Sequence, residues 1–113
     1  MTTLFILNDA PYGTERSYNA LRLARVLAKT GGQTVRVFLL GDAVNCAKAG
    51  QKVPEGYYNA GDMVHMAGGE VALCGTCMDA RGLSEEQLVE GARRGTLKEL
   101  AEWTAAADKV LVF

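Results

Sequence analysis

The chain has 113 residues, 49% of them apolar and 22% charged, the balance of one globular domain with its own core. Folding a chain of this size removes roughly two thirds of its unfolded surface from water, so neither a disulfide nor a metal is needed to explain stability. Twelve Lys and Arg against thirteen Asp and Glu give a net charge of −1, which excludes the basic footprint of a nucleic-acid or anionic-membrane binder.

The amino end, Met1 to Leu7, carries no basic segment, and its apolar run stops at Asn8-Asp9-Ala10-Pro11, so no secretory signal is expected. No other apolar stretch is long enough to cross a bilayer as a helix. A cytoplasmic protein is expected. In reducing surroundings three cysteines point to redox, sulfur-handling or metal-binding roles before structural ones.

Thr3 to Leu7 reads as a buried first strand ending in the turn formers Asn8 to Gly13. Thr14 is placed to cap a helix in which Tyr18, Leu21, Ala24 and Leu27 or Ala28 recur at helical spacing, with Arg22, Arg25 and Lys29 on a solvated stripe, and Gly31-Gly32 ends it. Gln33 to Leu40 is a second buried strand, and Ala43 to Ala47 a short helix. Gly50 to Gly56 has loop composition, and a helix is expected from about Tyr58 to Ala67.

Glu70 to Leu73 makes a third strand that ends at Cys74, and Gly75 to Gly82 reads as a solvent-facing loop. Ser84 with Gln87 and Thr96 with Glu99 fit the capping-box spacing, predicting two more helices, the second running to about Ala107. Leu88 to Ala92 fits a helix end or a very short strand, and Lys109 to Phe113 a final strand. The alternation predicts a single-domain, three-layer α/β/α fold with a mostly parallel, flavodoxin-like sheet covered on both faces. If the first and third strands are neighbours, the loop Asn8 to Gly13 lies on the same sheet edge as Cys74, where ligands of such sheets gather.

A thiol at a strand's carboxyl end is well placed for a nucleophile, but a free cysteine titrates near pH 8.5 and needs a cation or helix amides to become thiolate at neutrality. Arg81 and the amides before the Ser84 helix are the candidates; a buried, inert thiol is the bland alternative. Cys77 is near enough to attack a sulfur held on Cys74 and resolve it as a disulfide. A thioredoxin-like reading is weaker, because that motif opens a helix directly whereas six residues separate Cys77 from Ser84, and no proline follows the first cysteine. Cys46 reads as a core thiol.

Three cysteines and His65 make a formal zinc set, but the C-x-x-C has no second paired motif to complete it, and His65 alone is more often an ordinary helix or interface residue. Asn8, Tyr12, Gly13 and Gly75 are candidate pocket residues beside the thiols, although Asn8 to Gly13 serves equally as a turn and cap. That loop lacks the glycine spacing and lysine of nucleotide loops, so no cofactor is expected. One histidine supports no Ser-His-Asp set.

Several stretches resemble one family. They are Ala10-Pro11-Tyr12-Gly13-Thr14-Glu15, the Asn-Ala-Leu-Arg-Leu-Ala run within Ser17 to Ala24, Gly50-Gln51-Lys52-Val53-Pro54-Glu55-Gly56-Tyr57, Leu73-Cys74 through Gly82-Leu83, and Gly95-Thr96 to Phe113. Together and in this order they resemble the DsrE/DsrF-like proteins over nearly the whole chain. The resemblance implies a sulfur carrier that holds sulfane sulfur as a persulfide on Cys74, with sulfur donor and acceptor proteins or small persulfides as partners. Cys77 has a counterpart in one branch of the family but not in all its sulfur carriers, which leaves open a dithiol-disulfide oxidoreductase or redox sensor using Cys74 and Cys77. A non-catalytic oligomeric binding module is the third reading. The resemblance also implies a homotrimer or homohexamer, for which Tyr57, Tyr58, Met63, Met66 and Trp103 are candidate interface or core residues.

Overall fold

A computed structural model describes residues 1–113. Five parallel strands form one sheet: β1 (Thr2–Leu7), β2 (Thr34–Leu39), β3 (Glu70–Cys74), β4 (Ala92–Gly95) and β5 (Lys109–Val112), in the spatial order β4-β3-β2-β1-β5. Four helices, α1 (Arg16–Ala28), α2 (Ala60–His65), α3 (Gly75–Ala80) and α4 (Leu97–Ala106), and 3-10 segments at Gly41–Ala47 and Glu85–Gln87 complete the chain. The α/β/α class is as the alternation predicts, with a radius of gyration of 13.0 Å. No helix is long and apolar enough to cross a membrane.

Strand alternation divides the core in two. Phe5, Leu7, Val37, Leu39, Val71 and Leu73 face α1, α2, α3 and the first 3-10 segment. Small residues let α1 lie close: Ser17, Ala20, Leu21 and Ala24 are buried at the spacing of one helical stripe. On the other face Leu4, Phe38, Ala72 and Cys74 pack against α4 through Leu100 and Trp103. This second layer is one helix wide. Beyond it the edge strand β5 leaves Val110 and Val112 uncovered, the latter 66% exposed.

Four sequence expectations change. β1 and β3 are not neighbours, because β2 lies between them; successive crossovers step one way from β1 to β4, and only the last returns to place β5 outside β1. The expected loop Gly75 to Gly82 is helix from Gly75 to Ala80. Ser84 and Gln87 do form a capping box, but it closes a single 3-10 turn rather than opening a helix. The short strand spans Ala92–Gly95 rather than Leu88–Ala92, and Leu88 instead bridges to Lys48.

Candidate functional site

β3 runs without a spacer into α3. Cys74 is the last strand residue and also the N-cap of α3 (φ −60°, ψ 116°), and Cys77 lies one helical turn further on. The C-x-x-C therefore does open a helix directly, so the spacing argument against a thioredoxin-like arrangement falls, while the absence of a proline after Cys74 stands against it. Amides in the first turn of a helix have no intrahelical partner, and they favour negative charge on a neighbouring sulfur.

Access to the thiol differs from expectation. Cys74 is 7% exposed and belongs to the cluster beneath α4, with Leu4, Phe38, Ala72, Leu100 and Trp103. Cys77 is half-buried and packs against both core clusters. All three cysteines are free thiols. Cys46 is fully buried; burial pushes its thiol up to about 12, so it stays protonated and unreactive.

Arg81 does not serve as the expected partner of the Cys74 thiol. Its Nε donates to Asp42 Oδ1 at 2.9 Å and its Nη1 to the Cys77 carbonyl at 3.1 Å, which ties the end of α3 to the Gly41–Ala47 segment. The cation beside the motif is Arg94, which sequence reasoning missed. Its Nη1 and Nη2 donate to the two carboxylate oxygens of Asp79 at 2.8 and 2.9 Å. The guanidinium lies across Gly75: a Cβ there would meet its Cζ and Nε at 2.7 Å. Asp79 chiefly, then Glu85, hold the Arg94 guanidinium above its ordinary pKa. The Arg94 pair lowers the Asp79 carboxyl in turn. No pattern in the sequence joins residue 94 to residue 75, because register alone brings them together: Leu73 pairs with Arg94 and Cys74 with Gly95.

The other predicted pocket residues separate. Asn8 Nδ2 donates to the Phe113 carbonyl at 3.2 Å and holds the end of β5. Gly13 lines a distinct cleft with Tyr18, Tyr57 and Tyr58, and Tyr12 packs against the rings of Tyr57 and Tyr58. Tyr12 donates its hydroxyl to Gln51 Oε1 and accepts from the Ala60 amide at 3.1 Å, and Gly13 lines the cleft with φ +96°. His65 has its Nδ1 2.9 Å from the Glu90 carbonyl. No three His, Cys, Asp or Glu side chains converge. Trp103 is core rather than interface, edge-on to Phe38 and flanked by the guanidinium groups of Arg36 and Arg93.

A family model described as the DsrE/DsrF-like family matches residues 1–113. The chain belongs to the DsrE/DsrF-like family. Protein YchN of Escherichia coli K12 is 45% identical over 114 residues, covering 97% of each chain. Protein MK0008 of Methanopyrus kandleri is 40% identical over 110 residues, covering 96% of this chain and 90% of that one. The crystal structure of the E. coli ychN protein superposes with a TM-score of 0.89 at full coverage of both chains. The protein MTH1491 of Methanobacterium thermoautotrophicum shares the fold, with a TM-score of 0.73 at 14% identity, covering 99% and 97% of the two chains.

Proposed function

We propose that this DsrE/DsrF-like chain carries sulfane sulfur on Cys74. The observation that carries the reading is the junction of β3 and α3, which puts Cys74 at the carboxyl edge of a parallel sheet, ahead of a helix turn that bears a second thiol. The Cys74 thiolate attacks the outer sulfur of a donor persulfide, forming Cys74–S–SH and releasing the donor thiolate. An acceptor thiolate then takes the same outer sulfur and returns Cys74 to thiolate, with no net oxidation. If Cys77 instead attacks the inner sulfur, hydrosulfide leaves and a Cys74–Cys77 disulfide remains, which a dithiol must reduce by two electrons.

After incubation with a persulfide donor, intact-protein mass spectrometry is expected to show one added sulfur. The addition should vanish in Cys74→Ser and persist in Cys46→Ser. Sulfur retained without Cys74 overturns the assignment.

The helix-opening C-x-x-C favours a second reading, a dithiol-disulfide oxidoreductase or redox sensor in a reducing, cytoplasmic setting. It predicts a Cys74–Cys77 disulfide that turns over with a dithiol and no dependence on a persulfide donor. In either case the working form is proposed to be a homotrimer or homohexamer. The uncovered Val110 and Val112, and Leu97 just beyond the Gly95 that pairs with Cys74, supply apolar surface on the face that holds the thiol. Sedimentation of the purified protein tests the assembly, and Val112→Lys is expected to shift it toward monomer.

A further inference from the structure

The tyrosine cleft lies outside the cysteine site and has no part in the sulfur chemistry. Gly13, Thr14, Glu15, Tyr18, Tyr57 and Tyr58 line a cleft of about 430 Å³. Tyr58 is the middle ring, with centroids 4.4 Å from Tyr18, 4.7 Å from Tyr57 and 5.4 Å from Tyr12.

The cleft is built rather than incidental. The connection from Lys48 to Asn59 has no regular structure, yet its side chains fix it in place. Gln51 Nε2 donates to the carbonyls of Cys46 and Lys48 at 3.1 and 2.7 Å, and Asn59 Nδ2 donates to the Gln51 carbonyl at 3.0 Å. The Tyr58 hydroxyl donates to the Pro11 carbonyl at 2.9 Å and straps this connection to the loop after β1. Tyr12 and Tyr58 thus have structural work for their hydroxyls. Tyr57 straps neither segment: it is 53% exposed and stacked on Tyr58 by one face at an interplanar angle of 25°, which leaves an amphipathic ring open to solvent at the mouth of a braced cleft.

The chemistry of the lining selects a class of ligand. Three tyrosines and one acidic residue line the cleft, and no Lys, Arg or His does. Glu15 takes part in none of the six ion pairs of the fold, and the adjacent Arg16 is turned to Asp9 at 3.7 Å. The cluster already accepts one cation from outside, the Arg22 guanidinium 5.1 Å from the Tyr18 centroid. We propose that this cleft binds a small organic cation, its ammonium group held against the exposed outer face of Tyr57 with Glu15 as counter-ion.

The test is an NMR titration of the full chain with choline and, in parallel, with its uncharged carbon isostere 3,3-dimethylbutan-1-ol. Choline is expected to shift the amides of Gly13, Thr14, Tyr57 and Tyr58 saturably, and the isostere to bind at least about fivefold more weakly. Glu15→Gln and Tyr57→Leu, both at exposed positions and expected to melt as the parent does, should each weaken choline binding roughly threefold or more. No saturable shift with choline, equal affinity for the isostere, or unchanged affinity in both variants overturns the proposal.

Discussion

Replacing Trp103 by Ala tests whether α4 is the cover of the Cys74 thiol. Trp103 and Leu100 are the only buried residues of α4, and Trp103 is 7% exposed. Its ring meets Phe38 edge-on at 6.0 Å and is flanked by Arg36 and Arg93 at 5.0 and 5.7 Å. Truncating a buried Trp costs about 3 to 5 kcal/mol, against a total of roughly 5 to 15 kcal/mol for a domain, so the variant should fold with a clearly lower urea midpoint. Cys74 shares this cluster, so a reagent reaches it when α4 swings away, a local opening whose free energy falls by the same interaction. A loss of 3 kcal/mol corresponds to about a hundredfold faster reaction. The assay is iodoacetamide alkylation of Cys74 followed by mass spectrometry in a Cys77→Ser background, where Cys46 stays buried. If the urea midpoint falls while the alkylation rate does not change, the thiol is reached by another route and the reasoning fails.

Two glycines should behave differently on substitution by Ala. At Gly75 the three atoms nearest the new Cβ all belong to the guanidinium of Arg94, which can swing aside and release Asp79, so a small stability loss is expected; at Gly69 it would run into the backbone carbonyl of Val35, and about 3 kcal/mol or more is expected. Thermal melts of both variants decide this, and equal losses would contradict the assignment. Glu99 is held below its ordinary 4.5 chiefly by hydrogen bonds from Arg93, at 2.8 and 2.6 Å. Its contribution is therefore complete above 4.5 and lost as pH falls through the lower folded value. The stability difference between the parent and Glu99→Gln, about 1 kcal/mol for a partly exposed pair, should shrink on acidification. Cys46 shows the opposite sign: its thiol is raised from 9.0 to about 12, so the unfolded chain ionises first and stability falls as pH rises between those values. Cys46→Ala should flatten that limb of a urea-midpoint profile, and an unchanged slope would show that Cys46 does not cause it.

The sequence by itself determined what depends on short-range pattern. Apolar runs marked β1, β2 and β3, the spacing of Leu21 and Ala24 marked the buried stripe of α1, although Ser17 and Ala20 complete it while Tyr18, Leu27 and Ala28 stay half-buried, and Thr96 with Glu99 located the start of α4, where the Thr96 hydroxyl accepts from the Glu99 amide at 3.1 Å. The strand ending at Cys74 was equally legible, since Glu70 to Leu73 is apolar after its first residue and glycines precede it.

Tertiary structure decided what depends on partners distant in sequence. A stretch opening on Gly75 has the local composition of a loop, yet it is helical because Met78 is fully buried and Asp79 is clamped by Arg94, fifteen residues on. The capping box at Ser84 is a sound local signal that yields only one turn, because the chain must run on into β4 beside β3. The order of strands, with β2 between β1 and β3, separated the loop of Tyr12 and Gly13 from Cys74 and left that loop to form a cleft with Tyr57 and Tyr58. Local propensity records the conformation each segment prefers alone; register and packing, which no short window contains, determined that α4 covers Cys74 and Arg94 lies across the helix it begins.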